Sequence, residues 1–180
     1  MSEHHVAEAR RLSRTRAAII DAFRALALEQ RYAAIRVADI ISHAGVGKST
    51  FYEHFRGKDD VLVSAMQPVL LALATAASGR AARSYVRPAI AHLWDRRSVA
   101  RPIIESAGAG ILQRSLADAI ATHGGGLEDA QDARLVAVGI AAAQLAMLRY
   151  WLSGHAVATI DAMTDRLIAC ARLRGSDPPS

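Results

Sequence analysis

Cysteine is almost absent from this chain of 180 residues: Cys170 stands alone, so no disulfide framework and no thiolate metal cage can form within one chain. Aromatic residues are scarce, at 5%, and no stretch alternates apolar and polar residues as a half-buried strand does. Long apolar runs are lacking too. Leu135 to Ala143 is too short to span a bilayer, and Gln144 and Arg149 interrupt the apolar residues beyond it. The N-terminus shows no signal-peptide pattern. No two of the seven histidines stand three or four apart on a predicted helix, and no nucleophile–base–acid grouping is legible. These absences point to a soluble, cytoplasmic protein that is not an enzyme and carries no metal or cofactor.

The residues that are present favour helix. The hydrophobic fraction is 52% and the charged fraction 22%, enough apolar material for a packed core. That material leans on Ala and Leu, which are strong helix formers. The net charge is +5, and it is unevenly spread. Between Ala9 and Lys58 ten Lys or Arg stand against four acids, so the positive field is concentrated in the first third, as suits a polyanionic partner.

Punctuation divides the chain. Residues 1–13 read as a flexible basic arm. A first helix is expected from about Arg14 to Gln30, with Ile19, Ile20, Phe23 and Leu26 on one face. Val37, Ile40, Ile41 and Ala44 mark a short second helix that Gly45 stops. Lys48 to Phe55 fits a third, and Lys58 opens a fourth in which Pro68 predicts a kink. Shorter helices are expected over roughly 82–97, 102–107 (with Pro102 at its first position) and 111–123. Gly124 to Gly126 reads as a flexible loop, and two long helices close the chain, the last capped by Thr159. The expected fold is all-α: a three-helix helix-turn-helix domain over 14–57, a helical effector-binding and dimerisation domain over 58–175, and a disordered tail over 176–180.

The informative stretch is Arg31 to Leu62. Two short helices separated by Gly45-Val46-Gly47 have the form of a helix-turn-helix. Phe51 and Phe55 are placed to bury, which leaves Lys48, Ser49, Tyr52 and His54 for phosphates and base edges in a major groove. The run Gly45-Val46-Gly47-Lys48-Ser49-Thr50 also looks like the end of a phosphate-binding loop. That motif needs Gly where Ser42 stands and a buried strand before it, and neither is present.

The order Tyr32, Val37, Asp39-Ile40, Ala44-Gly45-Val46, Lys48, Thr50-Phe51-Tyr52, His54-Phe55 and Lys58 resembles the signature of the TetR (tetracycline-repressor) family, over about residues 14 to 62. The resemblance implies that the third helix enters the major groove. Residues matching Thr50, Tyr52 and Lys58 would then touch phosphates, and those matching Lys48, Ser49 and Tyr52 would approach bases. The sequence departs from the pattern twice, at three positions. Ile35 and Arg36 replace hydroxyl residues before the second helix, which adds a cation near the DNA backbone, and Gly47 replaces the usual Ser before the third. Arg36, Lys48, Ser49, Thr50, Tyr52, His54 and Lys58 are thus the expected DNA contacts.

For the remainder, the resemblance implies a small-molecule effector and a homodimer. Trp94, Tyr150 and Trp151 are the candidates for the effector pocket. Leu135, Val138, Gly139, Ala142, Leu145, Met163 and Leu167 are the candidates for the dimer interface. The expected function is a ligand-responsive repressor that binds a palindromic operator in double-stranded DNA. The alternative is an architectural or partner-dependent DNA-binding protein without an effector.

Overall fold

Ile19, Ala22, Phe23, Leu26 and Ala27 recur at helical spacing and are buried along one face of the first helix. A computed structural model describes residues 3–78, 83–106, 108–123 and 130–174. It shows α1 over Glu3–Glu29, α2 over Val37–Ala44, α3 over Lys48–His54 and α4 over Lys58–Ala77. Then come α5 (Arg83–Asp95), α6 (Arg97–Ile104), α7 (Gly108–His123), α8 (Ala130–Leu152) and α9 (Ile160–Ala169), and a 3-10 turn over Cys170–Arg174. The described residues contain no strand, and the all-α expectation holds.

Two compact units divide the chain, Met1–Ala65 and Met66–Ser180, with the division inside α4. In the first, α1 packs on α2. Its start differs from the expected arm: the helix begins at Glu3. Residues 3–13 contain neither Pro nor Gly and are largely Ala, Glu, Arg and Leu, so nothing there interrupts helix propagation. Gly45 ends α2 at φ +64°, in the left-handed region that Gly accepts without a steric cost, and the Val46 N–H closes on the Ile41 carbonyl.

The second unit is built on α8, which packs against α6 and α7, while α5 packs on α9. The Thr159 hydroxyl caps α9 by accepting the Ala162 N–H at 3.1 Å, as expected. Three other boundaries differ. Pro102 lies inside α6, since that helix begins at Arg97, and α7 starts at Gly108. The last helix tightens into the 3-10 turn at Cys170. Pro68 sits within an unbroken α4. The glycine loop at 124–126 and the tail at 176–180 lie outside the described residues.

Both α4 and Asp132–Leu152 are apolar and long enough to cross a membrane, with mean hydropathy 1.6. Their buried residues, Leu70, Leu73, Ala76, Ile140, Ala141 and Leu148 among them, mark core helices of a soluble protein. Gln144 is fully buried among them, and its amide donates to the carbonyls of Leu73 (3.1 Å) and Leu167 (3.2 Å), tying α8 to α4 and α9.

Candidate nucleic-acid interface

The third helix has seven residues, too few to be stable alone, so its position comes from packing. Phe51 is fully buried and Phe55 nearly so, with ring centroids 5.9 Å apart. Burying each contributes about 1.5–3 kcal/mol. With these two pointing inward, Lys48, Ser49 and Tyr52 are exposed. They stand at i, i+1 and i+4 and so share one outer face. The Tyr52 ring meets Phe51 edge-on at 5.3 Å, which fixes it while half its surface stays open.

Gly47 precedes α3 in extended backbone, with no side-chain cap. A Cβ there would sit 3.7 Å from the Thr50 Oγ1 and 3.9 Å from the Ser49 Oγ, ordinary contact distances. Thr50 is half-buried. Arg36 is exposed just before α2, and its backbone N–H donates to the Asp39 carboxylate at 2.9 Å, one half of a capping box.

Two expected DNA contacts are placed otherwise. His54 is half-buried, and its Nε2 is enclosed without a hydrogen-bond partner, so the ring is not displayed with the outer face. The Lys58 ammonium turns inward. It donates to the carbonyls of Tyr32 (3.0 Å), Ile35 (3.0 Å) and Ala33 (3.4 Å) and lies 4.6 Å from the centroid of the Tyr32 ring. An ammonium has three N–H donors, and all three are engaged. Its geometry is that of a clamp on the turn between α1 and α2.

The buried Tyr32 completes that clamp by donating its hydroxyl to the Asp59 carboxylate. Burial pushes the phenol well above its ordinary range, and the bond to Asp59 pushes the same way. Two α1 residues that carry no motif in the sequence also act here. Arg16 donates to the His54 carbonyl (3.3 Å) and the Ser64 hydroxyl (2.7 Å), with its guanidinium 4.5 Å from the Phe55 ring centroid. Arg24 reaches the Ala65 carbonyl at 3.3 Å. These partners lie 38 to 48 residues away in the chain, beyond any local signal.

In the second unit the expected aromatic pocket closes on itself. Trp94 and Trp151 stack at 4.3 Å, the Trp151 N–H donates to the Ala158 carbonyl, and Arg97 lies over Trp94. Tyr150 is exposed beside His155. A groove of about 250 Å³ lies elsewhere, walled by α6, α7 and α8, and none of the three aromatics lines it.

The expected dimer stripe also splits. Leu135, Val138 and Gly139 are exposed and Ala142 is half-buried, but Leu145, Met163 and Leu167 face the chain's own core. Arg83 and Arg87 are held in ion pairs, with Asp161 at 2.8–2.9 Å and, for Arg83, Asp165 at 2.8 Å. Among the described residues no group of three or more His, Cys, Asp or Glu is arranged to hold a metal.

A short helix displaying Lys48, Ser49 and Tyr52, set after a left-handed glycine turn and anchored by the buried Phe51 and Phe55, defines a helix-turn-helix DNA-binding protein. Residues 19–65 match the family described as bacterial regulatory proteins, tetR family. Over that segment the chain is similar to this family of DNA-binding transcription regulators.

Solved structures share the fold. A TetR transcriptional regulator from Streptococcus agalactiae 2603V is 21% identical, with TM-score 0.59 over 93% of this chain and 98% of that one. One from Rhodococcus sp. RHA1 is 15% identical, with TM-score 0.56 over 90% and 96%. The dihydroxyacetone kinase operon activator DhaS is 16% identical, with TM-score 0.51 over 87% and 93%. No curated protein matches the chain.

Proposed function

We propose that this regulator is a cytoplasmic, homodimeric repressor that occupies a palindromic operator and is released by a small molecule bound in its second unit. The outer face of α3 carries the reading. Lys48, Ser49 and Tyr52 are exposed together while Phe51 and Phe55 hold the helix down. Lys48 stands at the N-terminal end, which meets base edges in helix-turn-helix complexes, and Arg36 adds a cation beside the phosphates.

Pairing supports the dimer. One copy presents one recognition helix, and a two-fold dimer presents two, one DNA turn or roughly 34–36 Å apart. Leu135, Val138 and Gly139 form an exposed apolar patch on α8 suited to self-association. Repression results if the operator overlaps a promoter. The outcome to measure is binding to an inverted repeat from the DNA flanking its gene, against the same bases scrambled. Equal affinity for both would sink the operator reading and favour an architectural DNA-binding protein. A complex with one copy per repeat would sink the dimer.

A further inference from the structure

The groove in the second unit has an apolar floor and one charge. Ile104, Leu112 and Leu145 are buried beneath it, and small residues such as Ala142 and Ala146 leave it unfilled. Gln113 and Arg149 are its polar lining residues, and no carboxylate lines it.

Several arginines of the second unit are held by partners within the chain. Arg83 and Arg87 are paired with Asp161, Arg101 with Glu105 and Arg134 with Asp118, while Arg97 covers Trp94. Arg149 has no ion pair among the described residues. A guanidinium beside an apolar hollow matches a planar oxyanion carrying an apolar body, since its fork donates to both oxygens of a carboxylate. At about 250 Å³ the groove falls just below the usual range of small-molecule sites, which limits that body to one ring or a short chain.

We infer that the groove binds a small monocarboxylate, an aryl or short-chain acid, with its carboxylate on Arg149 and its body over Ile104, Leu112 and Leu145. This rests on the reading of the second unit as the effector-binding part and names the chemistry of the effector.

The test uses the full chain with benzoate and hexanoate as probes, and benzyl alcohol and hexan-1-ol as neutral counterparts. Binding is read by calorimetry and by thermal shift. The acids should bind about tenfold or more tightly than the alcohols, the gain expected of a charge-assisted bidentate contact. Arg149→Gln should remove that preference. Gln113→Glu, which puts a competing carboxylate in the lining, should do the same without touching Arg149.

Equal binding of acids and alcohols, or an unchanged acid preference in both variants, overturns the site. So does a complete lack of binding in a protein that sediments as a dimer, which would assign the groove to the second copy. Operator release is measured separately. Arg149-dependent binding that leaves the DNA complex intact keeps the site and removes the ligand-responsive reading. Release by some other compound, with no acid binding, does the reverse.

Discussion

Replacing Lys58 with Ala tests whether this residue holds the fold or the DNA. Family resemblance assigns it to a phosphate, whereas the structure engages its ammonium with three carbonyls of the 32–35 turn. A hydrogen bond from a charged donor contributes about 1.5–3 kcal/mol, and water can replace part of this at a half-buried site. Taking one such bond as the net loss, and about 0.5–1 kcal/mol for the cation above Tyr32, gives roughly 2–4 kcal/mol. For a unit of this size, about 2 kcal/mol lowers the unfolding midpoint by about 8–16 °C. Scanning calorimetry of the full chain should show the first unit melting earlier. The salt dependence of operator binding, measured below that transition, should keep its slope. If the midpoint stays and the slope falls by about one, Lys58 is a phosphate contact and the clamp is incidental.

Lys48→Ala should behave in the opposite way, leaving the melting curve alone, costing about 1–3 kcal/mol on the best operator and relaxing preference at one base pair per half-site. Uniform weakening across single-base operator changes would make Lys48 a backbone contact. Val138→Asp, at an exposed α8 position, should give monomers by sedimentation and lose tight operator binding; an intact dimer would place the interface elsewhere. Asp161 is held below the usual carboxylate range by its hydrogen bond to Arg87 and the nearby guanidinium charges. Because the folded value is depressed, its contribution to stability is present above the unfolded value of about 4 and fades as pH falls through the folded one. Acid should therefore lower the melting point of the native chain more than that of Asp161→Asn, and parallel decline in the two proteins would refute this.

Much of the first unit is legible in the sequence because its signals are local. A glycine that must take positive φ, two phenylalanines four apart and an outward-facing lysine can be read within a dozen residues. The clamp is not legible. Lys58 is a cation at a helix start whether it faces DNA or three carbonyls, and only the path of the 32–35 turn decides. The length of α1 escapes a sequence reading because charge density looks the same on an arm and on an exposed helix. In the second unit α8 is apolar on nearly all sides, so periodicity cannot separate the face buried in the chain, with Leu145 and Leu148, from the face left open, with Leu135 and Val138. Tryptophans in such a unit read as core or as pocket wall, and Trp94 and Trp151 are stacked on each other and fill the space they would have lined.

Gln144 bears on how this helix finds its place. Ala137, Ala141, Ala142, Ala143 and Ala146 make α8 nearly smooth, and a smooth cylinder gains almost the same packing energy if it slides or rotates against its neighbours. Ile140, Leu145, Leu148 and Trp151 are knobs that separate the right alignment from its rivals. The buried amide sharpens that choice, because its N–H groups meet the carbonyls of Leu73 and Leu167 in this alignment. In any other those N–H groups would join the amide oxygen, which is already buried without a partner, at a cost of several kcal/mol. Its value lies less in the energy of the observed arrangement than in the penalty it places on every other one. Gln144→Leu should therefore leave melting temperature nearly unchanged while broadening the resonances of the second unit, as several alignments of α8 become populated.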